Sequence, residues 1–167
     1  MSTTLAIDPG CFESAYVIVI DANRCPLEID KLPNEKLIDR LANLPTTHYN
    51  LGQVAIEEVV SYGMPVGREI FETVHWAGRM YQILAEQGYM PQRIGRQKVK
   101  LHHCHSSKAN DGNVRQALVD RFAPGQPNHG KGTAANPGWF YGFRADIWQA
   151  YALAVHTVDL TRLDALA

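Results

Sequence analysis

The chain has 167 residues, 46% of them hydrophobic, and a net charge of −1, which is the size and composition of one globular domain with room for a core. Its apolar runs, such as Tyr16 to Ile20, fall far short of the roughly 20 residues that a membrane-spanning helix needs. The N-terminus has no basic region backed by an apolar stretch, so a secretory signal is not expected either. Cys11, Cys25 and Cys104 are odd in number and unpatterned, which argues against a disulfide framework and for a reducing, cytoplasmic setting.

Taken in chain order, Thr3–Asp8 and Ser14–Asp21 read as strands joined at Pro9-Gly10, a hairpin, with Pro26–Ile29 as an added edge strand. Asn34 is placed to cap a short helix carrying Leu37, Ile38 and Leu41, which Pro45 would stop. Gln53–Glu57 is a further strand. A long helix from about Arg68 to Glu86 follows, with Ile70, Val74, Ala77, Tyr81 and Leu84 as its apolar stripe and Gly88 as its stop. Arg93-Ile94 and Val99–His103 read as strand material. Asn110 or Asp111 then caps a helix bearing Val114, Leu118 and Phe122. Residues 123–142 hold three prolines and five glycines, a long loop that is either mobile or functional. The last helix runs from Asp146 to about Leu160. Strands first, then alternating helix and strand, predict one α/β domain over residues 1–167, a mixed sheet with helices on both faces.

Charge is unevenly spread. Residues 1–60 carry nine acids against four bases, whereas residues 92–131 carry eight bases against two acids, a net +6. Such a basic segment suits phosphate neutralisation, and it shares the chain with a reserve of carboxylates; an ordinary solvated surface is the plainer explanation.

Three of the acids sit where solvated surface explains them poorly. Asp8 ends an apolar strand just before the Pro-Gly turn, Glu57 ends Val54-Ala55-Ile56, and Asp146 opens the last helix. Sites collect at strand ends in open α/β sheets. Carboxylates gathered there repel one another unless a cation intervenes, and oxygen donors select Mg²⁺ or Mn²⁺. A pair of such ions activates water and steadies the leaving oxygen in phosphodiester cleavage. Each acid alone has a structural explanation: an Asx-turn for Asp8, a helix cap for Asp146, and for Glu57 a near-twin, Glu58, on the opposite face.

Together, Ile7-Asp8-Pro9-Gly10, Ala55-Ile56-Glu57, and Ala145-Asp146 followed by Ala150–Val155 resemble the three active-site segments of RuvC-type Holliday-junction resolvases, whose fold is ribonuclease-H-like. Gly95–Lys100 resembles that family's basic strand after its central helix, and Asn113–Leu118 its next helix. The resemblance covers nearly the whole chain. It implies that Asp8, Glu57 and Asp146 are catalytic metal ligands for two Mg²⁺ or Mn²⁺ ions, and that a homodimer nicks paired strands of branched DNA. Four-way junctions come first as substrates, with flaps and forks behind them.

Departures from the family pattern are specific. The family's further acid, three residues after the Asp146 position, is Gln149, a neutral candidate ligand on the same helix face. The aromatic three residues past the glutamate is Val60, which leaves Tyr62 as the nearest candidate to stack on an unpaired base. Gly130–Gly132 and Pro137–Gly142 lengthen the late loop. These features resemble the divergent, phage-encoded branch, and so a bacterial or phage-infected cell. Arg96, Lys98, Lys100, Lys108, Arg115 and Lys131 are the candidate DNA-phosphate contacts. Trp139, Phe140 and Tyr141 either pack the loop on the core or serve the site, and Trp76, Trp148 and Tyr151 are core or dimer-interface candidates.

His102-His103-Cys104-His105 tempts a zinc reading. Neighbours on a strand point to opposite faces, however, and no second ligand pair completes a tetrahedral site. A strand end lining the active cleft is preferred. Two other functions stay open: a branched-DNA-binding protein with weakened catalysis, for which Gln149 argues, and an ATPase or sugar-kinase phosphate loop at Asp8-Pro9-Gly10, against which the short chain argues.

Overall fold

The computed structural model describes residues 1–44 and 50–164. Five strands, β1 (Ser2–Asp8), β2 (Glu13–Ile20), β3 (Pro26–Pro33), β4 (Asn50–Glu58) and β5 (Gln92–Gly95), form one sheet in the order β3-β2-β1-β4-β5. The first three are antiparallel neighbours, whereas β4 pairs parallel with β1 and β5 parallel with β4. Five α-helices complete the described chain: α1 (Asn34–Ala42), α2 (Arg68–Glu86), α3 (Arg96–Cys104), α4 (Asp111–Phe122) and α5 (Ile147–Asp164).

Helices cover both faces of the sheet, as expected. On one face Leu5, Ile7, Tyr16, Ile18, Val54 and Ile56 pack with Leu37, Ile38 and Leu41 of α1 and Met80 and Leu84 of α2. On the other, Ala6, Val17, Val19, Ala55 and Ile94 meet Val99, Val114, Leu118 and α5. Strands buried on both sides need apolar residues at successive positions, which is why Leu5-Ala6-Ile7 and Tyr16–Val19 read as runs rather than alternations. Small side chains at Ala6, Ala15 and Ala55 share this core with Ala150 and Ala154 of α5. The last helix can therefore lie close to the sheet, and it is buried from Ile147 through Val158.

Several elements depart from expectation. Arg96–Cys104 is a helix, so His102–His105 is no strand end. Arg, Gln, Lys and Leu are good helix formers, and of the apparent alternation only Val99 is buried, with Leu101 half-exposed. Asn34 does not cap α1: Pro33 holds that position, and the Asn34 side chain turns to the loop after β1. Pro45, the expected stop of α1, lies outside the described residues. β3 runs to Pro33, longer than expected, and is an edge strand as expected. On α2, Ile70, Val74 and Tyr81 are exposed, and Met80 and Leu84 form the buried face. Gly88 does stop α2: at φ +88° it takes the left-handed place of a Schellman motif, with Gly88 N–H donating to Ala85 O and Tyr89 N–H to Leu84 O. The long loop packs on the core. Phe140 is fully buried against Trp148 and Tyr151, Trp139 stacks on Phe122 and donates to the Tyr151 hydroxyl, and Tyr141 stays exposed. Trp148 and Tyr151 are core residues, and Trp76 packs partly buried on the α1–α2 side.

Candidate active site

Ile7 on β1 faces Ile56 on β4 in parallel register. The next residues, Asp8 and Glu57, therefore stand side by side at the carboxyl ends of the two strands. Side chains alternate faces, so both acids share the face of Ala6 and Ala55, which α3, α4 and α5 cover. Those three helices begin at the same end of the sheet. They deliver Arg96 at the start of α3, Asp111 at the start of α4 and Asp146 immediately before α5.

The turn that carries Asp8 is braced from below. Gly10 N–H donates to the Ser14 hydroxyl (3.0 Å), Ser14 donates to Asn34 Oδ1 (2.6 Å), and Asn34 Nδ2 returns a bond to Gly10 O (2.9 Å). Ser14 and Asn34 are buried. Gly10 is required here, because a Cβ would lie 2.3 Å from Glu13 O.

The carboxylates act on one another electrostatically. Burial holds the Asp8 carboxyl well above the usual carboxylate range; the neighbouring charges of Glu57, Asp146 and Asp111 push the same way, and Arg96 opposes them. Burial also raises Glu57, with Arg96 working against it and Asp111 adding to it. Two cations offset this crowding. Arg96 Nη1 lies 3.8 Å from Glu57 Oε1, and its Nη2 lies 3.4 Å from Asp111 Oδ2. Lys31, on the edge strand β3, donates to Asp146 Oδ2 at 2.6 Å. Burial disfavours the charge of Arg96, but Glu57, Asp111, Asp8 and Asp146 outweigh it and raise its pKa above the usual arginine value.

Asp8, Glu57 and Asp146 are thus brought to one end of the sheet, and Asp111 joins them. Asp111 had only been weighed as a helix cap. The capping box between Asn110 and Asn113 was the available signal, since it makes Asp111 unnecessary as a cap. Gln149 is buried beside Asp146 and lines a cleft with Asp111, Arg115, Ala145 and Trp148. Lys31 was missed because an edge-strand lysine reads as ordinary solvation.

The basic candidates divide. Arg96 is committed to carboxylates. Lys100 acts on Glu57 more weakly than Arg96 does, and Arg115 lines the Asp146 cleft. Lys98 is exposed on α3, Lys108 lines a separate groove with Asn113 and Asp120, and Lys131 lies in the long loop. Tyr62 is exposed between β4 and α2. The histidine run belongs to a structural cluster: His102 Nε2 pairs with Asp159 Oδ2 at 2.8 Å, and His103 Nε2 lies 2.8 Å from Ala152 O. Asp159 also accepts from Arg24 and Arg121.

An all-oxygen donor set, with Asp8 and Glu57 largely buried and Asp111 and Asp146 half-exposed, fits Mg²⁺ or Mn²⁺ in chemistry. Among the described residues no three His, Cys, Asp or Glu side chains converge closely enough to hold an ion as they stand. Arg96 and Lys31 currently occupy acids that such an ion would use.

No family model matches the sequence, and no curated protein does. Solved structures do match. Thermus thermophilus RuvC superposes with a TM-score of 0.68 at 18% identity over 97% of this chain and 96% of that one. The same protein in complex with a Holliday junction substrate gives 0.71 at 17% identity, with the same coverage. The likeness is one of fold: the ribonuclease-H-like α/β architecture expected from the acidic segments is the architecture observed.

Proposed function

We propose that this protein is a divalent-metal-dependent endodeoxyribonuclease acting on branched DNA, with four-way junctions as its main substrate. The observation that carries the reading is the pairing of Asp8 with Glu57 at adjacent parallel strand ends, facing Asp146, in a chain that shares the RuvC fold over nearly its whole length. Asp8 and Glu57 would hold the cation, and Asp146, at the more exposed rim, would complete the metal site and help orient the attacking water. A bound Mg²⁺ or Mn²⁺ supplies water activation and stabilisation of the leaving oxygen. Water attacks phosphorus, and the bond to the leaving oxygen breaks. Lys100, whose charge acts on Glu57, and Arg115, in the Asp146 cleft, are the phosphate contacts of this reading, and the exposed Tyr62 is its candidate to stack on an unpaired base.

Paired nicking needs two sites, and a second copy would provide the other. The exposed apolar residues of α2, Ile70, Phe71, Val74 and Tyr81, support a homodimer along that helix.

A second reading, a branched-DNA-binding protein with weak or no cleavage, is favoured by Gln149 and by the Arg96 contacts to Glu57 and Asp111. Incubating the purified protein with synthetic four-way junctions, flaps and linear duplex, in Mg²⁺ and in Mn²⁺, separates the two. Nicking of junctions ahead of duplex supports the nuclease. Junction binding without nicking in either ion supports the second reading, and neither binding nor nicking refutes both.

A further inference from the structure

Gln149 is only 7% exposed, yet its side-chain amide makes no hydrogen bond among the described residues. Buried amides are nearly always paired, because an unpaired one gives up its water contacts without return. This amide lines an open cleft of about 360 Å³ between the starts of α4 and α5, together with Asp111, Gly112, Arg115, Asp146 and Trp148. Gln149 N–H donates to Asp146 O at 3.0 Å, so the two side chains stand one helical turn apart on one face of α5. The unpaired amide thus borders a space that a ligand can enter.

Other donors converge on the same cleft. α4 has 12 residues, and the first N–H groups of a helix lack partners within it. Asn110 takes the N–H of Asn113 at 2.9 Å and leaves that of Gly112 open, at the helix end where the dipole favours an anion. Arg115, one turn further along α4, is exposed and forms no ion pair among the described residues. The two carboxylates of the cleft, by contrast, are engaged. Asp146 holds Lys31 at 2.6 Å, a lysine that also lies 4.0 Å from Glu13, and Asp111 holds Arg96 at 3.4 Å. An uncommitted guanidinium, an open helix-start N–H and an amide NH₂ suit a group that only accepts hydrogen bonds and carries several lone pairs. The non-bridging oxygens of a phosphodiester are such a group. A carboxylate at position 149 would meet those oxygens with repulsion.

We propose that Gln149, with Arg115 and the Gly112 N–H, seats a phosphodiester group of the bound DNA beside Asp146. The neutral side chain is then a substrate contact and not a weakened metal ligand. The inference rests on the reading of the protein as one that acts on branched DNA, and it deepens that reading by naming what holds a phosphate at the α4–α5 edge of the site.

Fluorescence anisotropy of a fluorescein-labelled four-way junction, titrated with the full-length protein in EDTA, tests this without metal or cleavage. Gln149→Met keeps the approximate size of the side chain and removes its donor. It is expected to bind the junction about tenfold more weakly, the loss of one hydrogen bond to a charged group. Its melting temperature without DNA should equal or exceed that of wild type, since the folded protein loses no hydrogen bond. The loss in affinity should be the same on junctions of different sequence, because phosphate contacts carry no sequence information. Gln149→Glu should bind more weakly still. Wild-type affinity in Gln149→Met, or tighter binding by Gln149→Glu, overturns the assignment. So does weaker binding that comes with a lower melting temperature, or a loss confined to one junction sequence. In each of these cases junction binding by wild type leaves the branched-DNA reading standing. Wild type that binds neither junction, flap nor duplex overturns that reading, and the Gln149 role with it.

Discussion

The Ser14 hydroxyl donates to the Asn34 side-chain carbonyl across 2.6 Å, and through Gly10 the pair fixes the turn that follows Asp8. A serine on β2 and an asparagine opening α1 thereby determine where a carboxylate on β1 points. Asn34→Ala removes two of these bonds and leaves buried partners unsatisfied, which should destabilise the fold by about 1–3 kcal/mol. Urea unfolding measures that loss. In the same variant junction nicking should fall more than junction binding, because the turn beside Asp8 is loosened while the basic residues are untouched.

The Asp8 pKa shift has a definite sign. Its carboxyl is held above the unfolded value, so the folded state binds that proton more tightly. This stabilisation is lost as pH rises through the folded pKa, and at neutral pH the buried charge is a net cost. Asp8→Asn should therefore melt above wild type in EDTA at neutral pH, by about 2–4 °C for each kcal/mol regained. The gap should narrow on acidification. Adding Mg²⁺ should raise the melting temperature of wild type and not that of the variant. A lower melting temperature for Asp8→Asn in EDTA would contradict the electrostatic account.

Histidines govern acid stability on the far side of α5. Burial pushes both His103 and His156 down to about 4 from 6.5. Above about 6.5 both are neutral, folded or unfolded. Between pH 6.5 and about 4 the unfolded chain takes up protons that the folded one refuses, so stability falls across that window by at most about 3 kcal/mol per histidine. Asp159, held low by its His102, Arg121 and Arg24 partners despite its burial, loses its contribution only at more acid pH. Replacing His156 with Phe should shrink the loss between pH 6.5 and 4, as read from urea midpoints at several pH values; an unchanged slope would contradict it.

Lys31 restrains Asp146 at a half-exposed position, with 23% and 50% of the two side chains accessible. A pair this open contributes less than about 1 kcal/mol to folding. Lys31→Gln should therefore leave the unfolding midpoint nearly unchanged. It should lower the Mn²⁺ concentration that gives half-maximal nicking, because Asp146 is released to the metal.

Much of this site could be read from sequence because strand ends are local features. Asp8 before Pro9-Gly10 and Glu57 after an apolar triplet announce a carboxyl edge, and parallel pairing places them together. Residues that complete the site through tertiary contact left no such trace. Lys31 and the inward turn of Asn34 depend on how β3 and α1 pack around β1. Val99–His103 reads as a strand because Val99 and Leu101 mimic alternation, while the helix-forming Arg96, Gln97, Lys98, Lys100 and Leu101 carry the segment into a helix of which only Val99 is buried. The apolar stripe on α2 is genuine in period, but Ile70, Val74 and Tyr81 face outward. Periodicity gives the spacing of a helix face and not the side that the core covers.

The central claim, that Asp8 belongs to a metal-dependent nuclease centre, is tested most directly by comparing wild type with Asp8→Asn on one synthetic four-way junction in Mg²⁺, following nicking and binding together. Wild type should nick the junction and the variant should not, with junction binding within a few-fold for both. Nicking by Asp8→Asn at the wild-type rate would contradict it.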